Sequence, residues 1–305
     1  MLLSKKFLKL YRFRRLETPV LNKLLRTNKP LALMLIKAQK EVFSSIVGNH
    51  ITRSKGQGFD FSELRPYETG DDIKHIDWII SSKLDQPHVK VFHQQRELNI
   101  TIVSFLTASV GFGTSRLKQE LIAEMTALIS MSCVKQGDPY EAYIANENLT
   151  LVSKKSKQLF GVRNLVQHIF EYATLGQSVY YPQTVSALYK RLKQKSLIFL
   201  IGDFFDSDSL DIKTLSLKHE VVVLMVRDRF EEEPPILESL SVVDPVKGEA
   251  AELKLDKSAL KKYQARLQAE DERLQEKLKK SGVRFVKVYT DENPAKKIFS
   301  LMGRR

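Results

Sequence analysis

The sequence predicts an α/β fold: a doubly wound, mostly parallel sheet, preceded by a basic helical and irregular N-terminal module. Three observations predict it. The apolar runs at 99–106, 196–201 and 220–226 are continuous, as in strands buried on both faces. Segments with helical apolar spacing separate them, which is the alternation that builds parallel sheets. The chain has 305 residues, 43% of them hydrophobic, enough to bury a sizeable core.

Taken in order, residues 1–30 form a basic amphipathic stretch. Leu2, Leu3, Phe7, Leu10, Tyr11, Phe13 and Leu16 interleave with Lys5, Lys6, Lys9, Arg12, Arg14 and Arg15. Such a stretch can lie on an anionic membrane or pack on its own domain, and packing is the preferred reading. Pro30 restarts a helix through 31–46. Residues 1–50 are thus read as a basic helical segment, and 51–98 as a separate module rich in charge, glycine and aromatics. In that module Gly56, Gly58 and Gly70 mark turns, Asp71 or Asp72 can cap a short helix, and 88–94 alternates as a strand. From 99 to 305 strands and helices alternate. Strands are expected at 99–106, 140–145, 149–153, 196–201, 220–226, 241–245, 252–255 and 283–289. Helices are expected at 115–136, 158–172, 184–193, 210–217, 258–280 and 294–301.

Composition excludes several classes. The single cysteine, Cys133, rules out an intrachain disulfide framework and a Cys-rich zinc module. The six histidines lack zinc-site spacing, and His88, His93, His168 and His219 each read as packed or surface residues. The glycines at 111 and 113 are not followed by Gly-Lys-Ser/Thr, so no P-loop is present. No apolar run reaches the roughly 20 residues of a spanning helix, and no signal peptide is evident. A cytoplasmic location follows, with peripheral contact at the inner face of the membrane as the variant. The net charge of +13 is unevenly distributed. Residues 1–55 hold 13 Lys/Arg against 2 Asp/Glu, a net of +11, and the remaining 250 hold 36 against 34. Basic charge therefore describes one segment and says little about the core.

Two strand ends lie where open α/β sheets place their sites. One runs Ile102-Val103-Ser104-Phe105-Leu106-Thr107-Ala108-Ser109 and enters a helix through Gly111-Phe112-Gly113. The other is Leu200-Ile201-Gly202-Asp203-Phe204-Phe205-Asp206. This pattern resembles a von Willebrand factor A-like domain. A longer signature precedes it: Lys55-Gly56, Gly58, Phe61, Glu63, Arg65, Tyr67, Gly70-Asp71-Asp72 and Ile76-Asp77-Trp78. It resembles the bacterial family catalogued as domain of unknown function 58, in its short form without transmembrane helices. The likeness continues in Arg227-Asp228-Arg229-Phe230-Glu231, Pro234-Pro235, Asp244 and Gly248-Glu249, and covers roughly 42–300.

The resemblance implies a non-enzymatic, protein-binding adaptor. It would work with a MoxR-type AAA+ ATPase in assembly or maturation of a client protein complex, and nucleic acid is not an expected partner. A-type domains carry a metal-ion-dependent adhesion site. Alignment on Phe112-Gly113 puts Thr107 and Ser109 on its hydroxyl positions and Asp203 on its later Asp, while Phe105 occupies the position of the leading Asp. A third-loop Thr has no clear equivalent, Thr184 and Pro182 aligning equally well. Two hydroxyls and one carboxylate make a poor Mg2+ cage, so the site is expected to be degenerate, with no metal and no cofactor; weak Mg2+ binding by Asp203 and water is the competing reading. Blander roles are loop and helix-capping hydroxyls for Thr107 and Ser109, and a helix cap for Asp203.

Arg65, Tyr67, Gly70, Asp71, Asp72, Asp77 and Trp78 are the partner-binding candidates of the preceding module. Ion pairs are expected to hold that module together, with Trp78 as a core anchor. Two further readings remain: anionic-membrane or nucleic-acid binding through the basic N-terminus, and, less favoured, a metal-dependent hydrolase built on Asp71, Asp72 and Asp77.

Overall fold

The computed structural model describes residues 29–50, 60–93 and 98–303. The amphipathic stretch expected over 1–30 lies, except for Lys29 and Pro30, outside the described residues. The chain forms two compact units. Residues 46–97 make up one, and the other takes the chain before that segment together with everything from Leu98 onward.

The smaller unit is built on β1 (Asp60–Pro66) and β2 (His88–His93), paired antiparallel. A 3-10 turn (Ile73–His75) and a seven-residue helix, here α2 (Trp78–Leu84), lie between them in sequence. β1 is absent from the sequence expectation, which treats the segment as neither helix nor hairpin. Its Glu63 and Arg65 give no apolar alternation, and its pairing with β2 supplies the order. The preceding helix, α1 (Lys29–His50), belongs over most of its length to the larger unit. Its Leu31, Ala38 and Val42 are buried, Lys37 pairs with Glu124 at 2.9 Å, and Glu41 accepts from Asn293.

The larger unit runs β3 (Asn99–Phe105), α3 (Lys118–Gln136), β4 (Tyr140–Ala145), β5 (Leu149–Ser156), α4 (Leu159–Phe170), α5 (Tyr181–Arg191), β6 (Ser196–Gly202), α6 (Lys213–Ser216), β7 (Glu220–Arg227), α7 (Arg229–Glu232), β8 (Leu237–Val243), β9 (Ala250–Leu255), α8 (Lys257–Lys280), β10 (Arg284–Tyr289) and α9 (Pro294–Gly303). Six strands make one sheet in the order β10-β7-β6-β3-β4-β5. Every neighbouring pair is parallel except β4–β5. Counted within the sheet this is 3-2-1-4-5-6 with strand 3 antiparallel, the doubly wound, A-like arrangement that the sequence predicts. β8 and β9 form a separate antiparallel pair. β3, β6 and β7 are buried along nearly their whole length, which is why their sequences are continuously apolar.

α3 runs at the centre of the unit, with most of its residues buried. Its polar members are satisfied internally: Thr126 meets Ser104 at 3.3 Å, and the Ser130 hydroxyl donates to the Thr126 carbonyl at 2.6 Å. Cys133 on the same helix is buried, and burial pushes its thiol well above the ordinary range, so it is a packing residue.

His219, before β7, is buried, and neither ring nitrogen has a hydrogen-bond partner among the described residues. Burial, helped by the charge of Lys218, lowers its pKa. The unfolded chain therefore takes up a proton at higher pH than the native state does. Stability from this group is present above about 6.5 and falls as pH drops through the native value. His219→Leu is expected to remove that acid sensitivity, read as the change in thermal midpoint between neutral and mildly acidic buffer.

Candidate functional site

The sheet order reverses between β3 and β6. β4 and β5 continue to one side, and β7 and β10 extend the other. The loops beyond the carboxyl ends of β3 and β6 therefore flank the crevice where α/β sheets place ligands. Thr107 and Ser109 leave β3 on one loop, and Asp203 leaves β6 on the other, so the structure brings these three residues together. The Thr107 and Ser109 hydroxyls meet at 2.9 Å, and Ser109 hydrogen-bonds to Asp203. Thr107 holds the cap position of the turn Ala108–Gly111, but its side chain makes no capping bond. Thr184 bonds back to the Tyr180 carbonyl inside its own helix and does not join the cluster.

Asp203 is not a helix cap: the 3-10 turn that follows, Ser207–Ser209, is capped in sequence by Asp206. Instead Asp203 is buried and ion-paired. Lys118 Nζ lies 3.0 Å from its Oδ2 and 2.6 Å from Glu231 Oε1, and Lys118 has no exposed surface. Lys118 opens α3, and Glu231 sits in α7 just past β7, so two helix starts and two strand ends converge on one ammonium. Burial works to raise the Asp203 carboxyl, but Lys118, Ser109 and Arg227 outweigh it and hold it below the usual range. For Glu231 burial prevails over Lys118, and its carboxyl is raised. A second cation backs the first. Arg227 is fully buried, donates to Asp271 Oδ1 at 2.8 Å, and lies over the Phe205 ring at 4.1 Å. Lys118 Nζ lies over the same ring, 4.8 Å from its centroid.

The next residue, Asp228, fastens the loops. It accepts from the Thr114 amide at 2.7 Å and from the Thr114 and Thr290 hydroxyls, and forms a capping box with Glu231. The Arg227-Asp228-Arg229-Phe230-Glu231 run thus stitches the β3, β7 and β10 exits together. In the sequence this run carries a resemblance but no place in the fold, and nothing marks Lys118 or Asp271. A lysine in a helix's first turn looks like a surface residue, and Asp271 is one acid among many in a long charged helix.

Phe105 occupies the floor of this edge. Its ring lies 5.6 Å from that of Tyr181 and 5.3 Å from that of Phe204, and it is buried. Gly202 passes so close that a Cβ there would stand 2.8 Å from the Phe105 Cβ. Gly202→Ala is therefore expected to cost about 1–3 kcal/mol, measured by chemical denaturation, because neither β-carbon can turn aside. Phe204 and Asp206 both adopt left-handed backbone conformations, at φ 52° and 53°. Such strain persists only where the surroundings impose it, and at Phe204 the packing against Phe105 and Tyr181 does so.

The resemblance to A-type domains implies a divalent cation between these loops, and the residues that meet there do not fit one. A hard cation needs several oxygen ligands around an accessible centre. Here an ammonium stands between the two carboxylates, and the Phe105 ring packs against Phe204 and Tyr181 beside them.

The smaller unit is organised by ion pairs. Arg65 grips Asp71 with two parallel bonds, 2.8 and 2.6 Å, and Asp71 also accepts from the Glu68 amide. The Arg65 contact, then the Glu68 amide, lower the Asp71 carboxyl. Asp72 caps the 3-10 turn through the Lys74 amide, and Asp77 caps α2 through the Ile79 and Ile80 amides while pairing with Lys90 at 2.9 Å. Gly70 sits at φ 114°, and the Tyr67 amide donates to the Pro87 carbonyl. The three aspartates are thus engaged separately, and among the described residues no group of three His, Cys, Asp or Glu side chains is placed to hold a metal. Trp78 is not a core anchor. It is 66% exposed, the first residue of a seven-residue helix whose buried member is Ser81. Ile79 beside it is exposed as well.

Among the described residues no helix is long and apolar enough to cross a membrane. The chain is 25% identical over 218 residues to the uncharacterized protein Mb1516 of Mycobacterium bovis and equally to Rv1480 of Mycobacterium tuberculosis, covering 68% of this chain and 68% of each relative. Among solved structures it is similar to the conserved hypothetical protein BatB of Bacteroides thetaiotaomicron, at 12% identity and a TM-score of 0.46, covering 68% of this chain and 98% of that one. Residues 63–273 match the sequence model of one family, described as protein of unknown function DUF58, and with that match spanning well over half its length the chain belongs to this family.

Proposed function

We propose that the protein is a non-enzymatic, protein-binding adaptor with a degenerate adhesion site, acting with a MoxR-type AAA+ ATPase in the assembly or maturation of a client complex. ATP is consumed by the partner. The observation that carries this reading is the closure of the carboxyl edge. Lys118, Asp203, Asp228 and Glu231 are buried and spend their charges on one another and on the loops, so none is offered to a substrate. A general acid, base or nucleophile has to reach its substrate. What faces outward is suited to contact: Thr114, Ser115 and Asp206 on the rim, and Trp78 and Ile79 on the smaller unit. An exposed tryptophan beside an exposed isoleucine is the composition of an interface anchor.

Ser115→Arg and Trp78→Asp test this reading, since both positions are exposed and tolerate change. In recovery of the purified ATPase on immobilised protein, at least one variant is expected to retain markedly less than the wild type. Equal recovery by all three proteins contradicts the proposal.

A further inference from the structure

The Lys118 side chain is placed against its own local preferences. It stands in the first residue of a helix, where the macrodipole disfavours a cation, and it is fully buried, which disfavours any unpaired charge. Its surroundings are those of a hard cation: the Asp203 and Glu231 carboxylates within 3.0 Å, the Ser109 hydroxyl bonded to Asp203, and the Thr107 hydroxyl bonded in turn to Ser109. Such an oxygen set is ordinarily gathered around a metal.

We propose that the Lys118 ammonium is a tethered stand-in for the divalent cation of the A-type site, so that the loops after β3, β6 and β7 are held by a charge the chain itself supplies. The inference rests on reading this edge as a degenerate adhesion site. One positive charge replaces two, and the carboxylate that the aligned site would carry where Phe105 stands is absent, which removes one negative charge to match. The loops stay closed at any metal concentration, because the ammonium cannot dissociate. This surface is therefore constitutive, where a metal-bearing one is conditional.

The test is a Mn2+ titration of the full chain, read by calorimetry and by the thermal midpoint, on the wild type, on Lys118→Ala and on Lys118→Ala with Asp203→Asn. The wild type is expected to bind no Mn2+ and to keep its midpoint in both Mn2+ and EDTA. Lys118→Ala is expected to lose midpoint, to bind one Mn2+ per chain and to recover part of the loss; the double variant is expected to bind none. Stoichiometric binding by the wild type that Asp203→Asn abolishes overturns both this inference and the degenerate-site reading. A folded Lys118→Ala that binds no Mn2+, beside a wild type that binds none, overturns this inference alone. Should Lys118→Ala fail to fold, Lys118→Ser, which adds a hydroxyl ligand, is refolded with and without Mn2+. Cation-dependent recovery supports the proposal, and equal yields overturn it.

Discussion

Lys118→Met lowers the stability of the larger unit by about 3–5 kcal/mol, the usual cost of removing one partner from a buried ion pair. Methionine fills the same volume, so the loss is electrostatic and not a cavity effect. The variant leaves Asp203 and Glu231 facing each other without their shared ammonium. Its pH dependence is the diagnostic feature. In the wild type Asp203 is held below its ordinary value, so its contribution is present above about 3.9 and is lost as pH falls through the native value. Without Lys118, burial dominates at Asp203 as it already does at Glu231, so the first carboxyl is raised and the second is raised further. Protonation then favours the native state, and stability declines as pH rises through the raised values. The gap between wild type and variant, measured by urea denaturation, is therefore expected to be widest near neutrality and to narrow toward pH 4.5. A gap that stays constant over that range contradicts the ion-pair assignment.

Phe105→Asp puts a carboxylate at the position that the resemblance to A-type domains aligns with the leading adhesion-site Asp, and we expect it to destabilise without creating a metal site. Loss of the buried ring from its contacts with Tyr181 and Phe204 costs about 3–5 kcal/mol, as for other buried phenylalanines. The new carboxylate adds a desolvation penalty that the neighbouring rings cannot offset. Mg2+ is not expected to rescue the variant, because Lys118 still stands between Asp203 and Glu231. A thermal midpoint equal to the wild type, or one raised by Mg2+, is the contrary result.

The sheet was legible because its strands are buried on both faces. The runs 196–201 and 220–226 could serve little else, and the helical spacing of the intervening segments set the crossovers. The two strand ends were legible because strand ends at a topological reversal are where α/β loops meet; Thr107, Ser109 and Asp203 were singled out on them by the resemblance alone. The identity of the cation was not. Lys118 reads as an exposed first-turn residue until the loops after β3, β6 and β7 close over it, and that closure depends on contacts such as Thr114 to Asp228, which lie 114 residues apart. Trp78 misled in the opposite direction. Aromatic size suggested burial, but α2 is short, and among the described residues of its unit few are buried. β1 was invisible because Glu63 and Arg65 interrupt any apolar alternation, and its order comes from pairing with β2.

The nitrogen-15 and proton resonances of the Lys118 ammonium test the central claim most directly. A fully buried ammonium bonded to two carboxylates is expected to give a slowly exchanging signal at neutral pH, unchanged by Mg2+ or EDTA and absent from Lys118→Met. A rapidly exchanging Lys118 signal, or one that shifts when Mg2+ is added, would contradict a carboxyl edge closed by its own charge.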